Sequence, residues 1–425
     1  MIKIVRSDEF IARRTNQNPA PTAVSVAVSK IIANVIERGD DALREYTEKF
    51  DCCSPDEFEL PAQALDAAID DVGNEFVGIM QRAAANIEEF HRQQIREGFE
   101  ITRGNGIVLG QRITPIERVG LYIPGGTAPY PSTVLMNCIP AKLAGVGEIV
   151  IATPPSKNGV NPGILAAAKI AGASRVFTLG GAQAIAALAY GTETVPRVDK
   201  ITGPGNAYVA EAKRQVFGIV GIDMIAGPSD ILIIADGAAN PILVAADMLS
   251  QSEHGTDSPA ILITDSAKLA DKVSAELESQ IAALPRGKIA RESIDVYGRI
   301  IITETLDEAF RISNELAPEH LEIFLDEPFK YLGKVINAGS VFLGKNAPEA
   351  LGDYYAGPNH TLPTFGTARF SSPLSVDDFI KKTSYTYYTE KALFGASDDV
   401  VRFAAREGLD AHALSVSRRI SSGQR

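Results

Sequence analysis

This sequence predicts an α/β protein built on parallel, doubly wound sheets, and three observations carry the prediction. Short apolar runs at 119–123, 149–152, 176–179, 231–235 and 261–264 read as buried strands. Helical patterns lie between them. Glycine-rich turns follow several of the runs, at Gly125-Gly126, Gly180-Gly181 and Gly203-Pro204-Gly205. Strands and helices alternating in this way make parallel sheets covered by helices on both faces. With 425 residues, 45% of them hydrophobic, the chain can fill more than one core, and its length suggests about two to four domains.

Residues 1–20 read as a separate arm, closing in Asn18-Pro19-Ala20-Pro21. A helix follows with Val24, Val28, Ile31, Ile32 and Val35 along one side and Gly39 as its stop. A short helix is expected at 41–49 and the longest at 74–95, where Phe76, Ile79, Met80, Ala83, Ile87 and Phe90 recur at steps of three and four. His91 borders that stripe among charged residues and reads as a surface histidine without a role. From 117 the alternation begins: strand 119–123, a helix through Ala144, strand 149–152, helix 164–171, strand 176–179 and a helix through Tyr190. A helix opened by Gly203-Pro204-Gly205 runs through Val216, and strands 231–235 and 261–264 enclose another. Past 372 the periodicity breaks up. Short helices are expected at 377–383, 390–394 and 397–406, with a Tyr-rich strand at 385–388, and 373–425 reads as a small C-terminal domain or arm.

The net charge is −12 and the pI about 5.1. No run of Lys or Arg forms a patch, which argues against nucleic acid as a partner. The first residues lack an apolar h-region, so no signal peptide is expected. No apolar run approaches the roughly 20 residues of a membrane helix. Three cysteines, Cys52, Cys53 and Cys138, suit a reducing cytoplasm better than a disulfide scaffold. Cys138 reads as a small hydrophobe in an apolar helix rather than an aldehyde-trapping thiolate.

Glycine turns between strand and helix gather backbone N–H groups and a helix N-terminus at one point, which suits a pyrophosphate. None of the three turns is a G-x-G-x-x-G; after Gly203 and Gly205 the third position is Tyr208. Tight α/β turns explain these glycines as well as a dinucleotide site does.

The chemistry-bearing stretch is Ala317-Pro318-Glu319-His320, followed by apolar 323–325. Pro318 biases Ala317 away from helix, placing an acid–base pair on a loop-to-strand junction. Besides His91, the histidines are His254, His320, His360 and His412, each near other polar groups. Gln251 and His254 share a helical face at the end of one helix. Asp353 and His360 lie on a Gly/Pro loop, and Glu407 and His412 fall near the last helical stretch. Nitrogen and oxygen donors without thiolate suit a catalytic Zn²⁺, with Mn²⁺ or Co²⁺ as alternatives. Each group also has an ordinary role as cap, turn or surface residue, and spacing cannot show that they converge.

Taken together, the motifs resemble one family over essentially the whole chain. Those motifs are Val119-Gly120-Leu121-Tyr122-Ile123-Pro124-Gly125-Gly126, Gly180-Gly181-Ala182-Gln183-Ala184-Ile185, Thr202-Gly203-Pro204-Gly205-Asn206, Ala226-Gly227-Pro228-Ser229, Gln251-Ser252-Glu253-His254-Gly255, Ala317-Pro318-Glu319-His320, Gly352-Asp353-Tyr354 through His360, and His412. The chain is similar to the histidinol dehydrogenases, the zinc- and NAD-dependent enzymes of the last steps of histidine biosynthesis. The resemblance implies oxidation of L-histidinol to L-histidine through L-histidinal with two NAD⁺ reduced. It implies Gln251, His254, Asp353 and His412 as ligands of one Zn²⁺ per subunit, and Glu319 and His320 as the acid–base pair. Tyr122, Gln183 and Asn206 would contact NAD. Ser229, Gln251, His254, His320, Asp353, His360, Glu407 and His412 would surround the substrate.

The implied fold is a pair of incomplete Rossmann-like domains of aldehyde-dehydrogenase-like type. The first spans 21–121 and 230–372 with the zinc and acid–base residues; the second spans 122–229 with the NAD contacts. The arm 373–425 would carry Glu407 and His412 into the neighbouring subunit of an intertwined homodimer. Oxidation of another amino or sulfonated alcohol, a zinc hydrolase, and a silent NAD-binding sensor are the competing readings.

Overall fold

The computed structural model describes residues 1–10, 22–53, 55, 57–125 and 129–422. Most of the expected N-terminal arm and Gly126 fall outside that set. The chain divides into two units, residues 1–94 with 116–379, and residues 95–115 with 380–425.

In the first unit, β1 (Lys3–Arg6) is followed by four helices, α1 (Thr22–Arg38), α2 (Asp40–Asp51), α3 (Ala62–Val72) and α4 (Asn74–Arg92). In the second, β2 (Phe99–Arg103) and β3 (Ile107–Pro115) form a hairpin. The first unit resumes with β4 (Arg118–Tyr122), α5 (Pro131–Ala144), β5 (Glu148–Thr153), α6 (Pro162–Ala171), β6 (Arg175–Thr178), α7 (Gly181–Tyr190), β7 (Lys200–Thr202), α8 (Ala207–Val216) and β8 (Gly221–Ile222). These strands make a five-stranded parallel sheet in the order β6-β5-β4-β7-β8.

A six-stranded sheet comes next. Its elements are β9 (Ile231–Ala235), α9 (Pro241–Ser252), β10 (Ala260–Thr264), α10 (Ala267–Ile281), α11 (Gly287–Val296), β11 (Arg299–Ile302), α12 (Leu306–Leu316), β12 (His320–Phe324), α13 (Phe329–Leu332) and β13 (Ser340–Leu343), followed by α14 (Glu349–Tyr354). The order β1-β11-β10-β9-β12-β13 is parallel throughout. Leaving β1 aside, both sheets share one pattern, 3-2-1-4-5, in which the first strand sits in the middle and the chain reverses direction beside it.

The central strands are mostly apolar, as both-face burial requires. β9 reads Ile-Leu-Ile-Ile-Ala, and every residue in it is buried. Residues 22–92 differ from the sequence expectation, which placed them with the acid–base half. They pack on the five-stranded sheet: α1 on α7 and α8, α3 on α6, and α4 on α5 and α6. Their apolar faces complete the two cores on that sheet's faces.

The α4 stripe is also rotated from the expected one. Val77, Met80, Ala83, Ile87 and His91 are buried, whereas Phe76, Ile79 and Phe90 are exposed. His91 is therefore a core histidine, 0% exposed, not a surface one. Its Nδ1 lies 2.7 Å from Gln94 Oε1, and its Nε2 faces the Asn359 amide nitrogen at 3.5 Å. An amide nitrogen donates only, so Nε2 accepts and the proton sits on Nδ1.

The second unit is small. β14 (Ile380–Tyr388) pairs antiparallel with β3, giving the order β14-β3-β2. Two helices follow, α15 (Glu390–Arg406) and α16 (Asp410–Ser422), packed on each other. The expected helix at 377–383 is a short 3₁₀ turn at Val376–Phe379 running into β14, and the two expected helices at 390–406 are one.

Candidate active site

The acid–base pair stands at the amino end of β12. Thr305 caps the start of α12, accepting from the Glu308 N–H, and Ala317 closes it in the left-handed region at φ 52°. A non-glycine residue held there stores strain, a feature that gathers at working sites. The chain then enters β12 with Glu319 and His320 buried, 4% and 3% exposed. β12 lies between β9 and β13, so His320 is level with Ile231 and Ser340.

Asp230, just before β9, locks the pair. Its Oδ1 accepts the Glu319 N–H at 2.9 Å and its own N–H donates to Glu319 Oε2 at 3.0 Å. Its carbonyl accepts the His320 N–H at 3.2 Å and lies 3.0 Å from Nδ1. A carbonyl only accepts, so Nδ1 carries a proton and Nε2 points away from the strand. Nε2 has no hydrogen bond among the described residues; it faces Asp353 Oδ1 at 3.7 Å and Glu349 Oε1 at 3.9 Å. Ser229 immediately precedes Asp230, at the same edge of the sheet.

Glu349 was missed by the sequence reading. It opens α14, and Asp353 follows four residues on, so both lie on one helical face. That spacing was the signal available, too common to act on alone. Glu322, two residues along β12 and on the same strand face as His320, accepts the Glu349 N–H at 2.8 Å. Ser250 on α9 donates to Glu349 Oε2 at 2.7 Å. Ligand atoms of His254, Glu349 and Asp353 all lie within 4.8 Å of one another. One turn before His254, the Gln251 side chain is fully buried, and neither amide atom is bonded among the described residues. An imidazole and two carboxylates so close together, without thiolate, fit a divalent cation of the zinc type.

Burial pushes Glu319 up to about 8 and Glu349 up to about 7. Burial alone would lower His320, but the charges of Glu319, Glu349 and Asp353 outweigh it and raise the imidazole well above its usual value. Asp353 moves the other way: burial is overcome by the facing His320 and by the imidazoles of His360 and His254, and it stays a carboxylate. His360 completes the ring, with Nδ1 2.9 Å from the Asp353 carbonyl and Nε2 3.1 Å from Thr133 Oγ1 on α5. A cavity of about 250 Å³ opens beside His320, Asp353 and His360, walled by Phe342, Leu351 and Leu362.

The other expected residues gather at the carboxyl end of the five-stranded sheet. Tyr122 ends β4, and its hydroxyl oxygen accepts the Gly181 N–H at 3.0 Å. Gln183, in the first turn of α7, is 1% exposed, and its amide is unbonded among the described residues. Asn206 caps α8, accepting from the Tyr208 and Val209 N–H groups, and is exposed. Gly203 sits at φ 111°, and a Cβ there would lie 2.1 Å from the Tyr122 carbonyl oxygen, so only glycine fits. Its N–H donates to Asp223 Oδ2 and its carbonyl accepts from Lys213 Nζ. This is the crevice between β4 and β7 where the strand order reverses, the usual ligand position in such sheets.

Glu407 and His412 lie in the second unit, at the end of α15 and in the first turn of α16, both exposed. Cys138 is fully buried in α5, and burial raises its thiol, as expected of a packed hydrophobe. Among the described residues no helix is long and apolar enough to cross a membrane.

Two like-ordered parallel sheets, one with a locked acid–base pair and a cation-fitting donor set, define an α/β enzyme. The family model described as histidinol dehydrogenase matches residues 13–420. A histidinol dehydrogenase of Clostridium acetobutylicum is 51% identical over 411 residues, covering 96% of this chain and 95% of that one. One of Bacillus cereus is 54% identical over 406 residues, covering 96% and 95%. The crystal structure of histidinol dehydrogenase from Elizabethkingia anophelis matches with a TM-score of 0.94 at 39% identity, covering 100% of this chain and 99% of that one. The chain belongs to the histidinol dehydrogenase family.

Proposed function

We propose that this chain oxidises L-histidinol to L-histidine by way of L-histidinal in histidine biosynthesis, reducing two NAD⁺ in turn with zinc assistance. The observation that supports it most is the Glu319–His320 pair, locked by Asp230 against the donor set of His254, Glu349 and Asp353. On this reading Gln251, His254, Asp353 and His412 hold the zinc. Glu349 stands beside them. Tyr122, Gln183 and Asn206 take NAD, and Ser229, His360 and Glu407 line the substrate. His412 and Glu407 come from the neighbour's arm in a homodimer with shared sites. Residues 230–372 carry the metal and acid–base groups, 122–229 the NAD contacts, and 373–425 the exchanged arm. The three free cysteines suit a cytoplasmic enzyme.

When bound, zinc would hold and orient the substrate's amino and imidazole nitrogens and NAD⁺ would take up hydride. The chain's own residues move the protons. With the facing carboxylates neutralised, His320 Nε2 is a free base and takes the proton of the alcohol. Glu319 takes a proton from the water that adds to the aldehyde, and His320 accepts the last one from the hydrate. Each such transfer contributes a factor of about 10²–10⁴. The burial of Glu319 matters: with its carboxyl raised to about 8, the water-activating form gains as pH rises.

The test is stoichiometry. L-histidinol consumed with excess NAD⁺ should release two equivalents of NADH and L-histidine. One equivalent with free aldehyde, or no NADH at all, would overturn the reading, and competition against other amino alcohols checks the substrate.

A further inference from the structure

The carboxyl end of the five-stranded sheet holds polar atoms that tight turns do not require. Among the described residues, Thr153 ends β5 with a fully buried hydroxyl that has no partner, and the Gln183 amide has none at either atom. Asp51, the last residue of α2, has a buried Oδ2 without a hydrogen bond among the described residues. These groups flank the Gly180-Gly181 turn. A Cβ on Gly180 would lie 2.6 Å from Pro154 and 3.2–3.3 Å from the Asp51 carboxylate oxygens; one on Gly181 would lie 2.8 Å from Gln183 Oε1. Burial pushes Asp51 up to about 6, and the charge it carries is felt by the Tyr122 hydroxyl. Buried polar atoms left unbonded by the described residues leave hydrogen-bonding capacity at this turn for a ligand.

In a parallel sheet ordered 3-2-1-4-5, the adenosine ribose of a dinucleotide lies beyond the second strand, where a carboxylate takes its hydroxyls. Here that strand is β5, and it runs into Thr153-Pro154-Pro155, which offers no carboxylate. Asp51 stands beside Pro154, brought there by α2 from outside the sheet. We propose that Asp51 accepts hydrogen bonds from the adenosine ribose diol of NAD⁺ and excludes dinucleotides phosphorylated at the 2′ position. A diol satisfies two carboxylate oxygens at once. A 2′-phosphate would set a second negative charge against a half-buried carboxylate whose raised pKa traces to burial alone. The inference rests on the five-stranded sheet being the NAD end.

Isothermal titration of the full chain with NAD⁺, 2′-deoxy-NAD⁺ and NADP⁺ tests it. Removing the ligand's 2′-hydroxyl should weaken binding about tenfold, and Asp51→Asn should weaken NAD⁺ by a similar factor. The two losses should not add, because they delete one interaction from opposite sides. Asp51→Asn should also narrow the preference for NAD⁺ over NADP⁺ by about tenfold or more. In steady state the loss should fall on KM for NAD⁺ more than on kcat. The deoxy ligand touches no residue, so that arm stands even if the variant does not fold. Equal affinity of the native protein for NAD⁺ and 2′-deoxy-NAD⁺, or an unchanged NAD⁺/NADP⁺ ratio in the variant, would overturn the proposal alone. Absence of any NAD⁺ binding by the native protein would instead overturn the reading of the sheet, and the proposal with it.

Discussion

The two parallel sheets share a strand order and put it to opposite uses. In the five-stranded sheet the carboxyl edge is lined by Tyr122, Gln183 and the turns at Gly180-Gly181 and Gly203, with the Asp51 carboxylate beside Gly180 and the buried Lys213–Asp223 pair against Gly203. Its amino edge is closed by the ion pairs Arg118–Glu148 and Arg175–Glu59. In the six-stranded sheet the amino edge holds Asp230, Glu319 and His320, while the carboxyl edge is acidic, with Asp236 after β9, Asp265 after β10, Glu304 after β11 and Asp326 after β12. Asp265 is raised by burial and by Asp236 beside it, so that edge repels a phosphate rather than cradling one. A shared topology therefore says where a crevice can form and not which crevice is used; side-chain charge decides. His360 ties the two working edges together through Thr133.

The largest effect should come from the acid–base edge. His320→Asn should lower kcat for alcohol oxidation by about 10²–10⁴, because the base assigned to the alcohol proton is lost. Glu319→Gln should spare that step and stall the aldehyde step by a similar factor. The native aldehyde step should quicken as pH rises toward about 8, the value to which burial pushes Glu319, and that limb should vanish in Glu319→Gln. Single-turnover rates of each half-reaction decide this, and equal loss in both would remove the division of labour.

A smaller effect should come from the carboxyl edge of the five-stranded sheet. Gly203→Ala forces a Cβ into the Tyr122 carbonyl at a positive φ, and should cost about 1–3 kcal/mol of stability. It should also raise KM for NAD⁺ with little change in histidinol binding. A variant as stable as the native protein would show that this turn relaxes freely.

The smallest effect concerns His91, whose burial lowers its pKa from the ordinary value. A depressed imidazole contributes stability above its unfolded pKa of about 6.5 and loses it as pH falls through the folded value. His254 and His360 are lowered too and add to the same trend. His91→Gln should therefore reduce the drop in Tm between pH 7 and 5.5 by about 1–2 °C. An unchanged drop would place the acid sensitivity elsewhere.

Much of this was legible in the sequence, for identifiable reasons. Buried strands such as β9 and β10 are largely apolar, and the glycines after several strands mark the turns. Residues Ala317-Pro318-Glu319-His320 announce a helix stop before a strand, as found. Where reading failed, the deciding term was tertiary. The α4 stripe fits two faces offset by one residue, and only packing on α5 and α6 chooses Val77 and His91 over Phe76 and Phe90. β14 is exposed along nearly all of its length, so it carries no alternation to read. α15 runs through Gly395, which costs a helix about 1 kcal/mol but does not end it. Glu349 and Asp230 join the site because three parallel strands and the end of α9 meet at one edge, a register that no local pattern encodes.

The central claim is that an ion sits at the amino edge of the six-stranded sheet, facing His320. Crystals of the protein grown with Zn²⁺ and measured on both sides of the zinc absorption edge test it directly. The account predicts one anomalous peak per chain within about 2.0–2.3 Å of a His254 nitrogen and an Asp353 oxygen. A peak at another place, with the His254, Glu349 and Asp353 side chains bound to nothing, would contradict it.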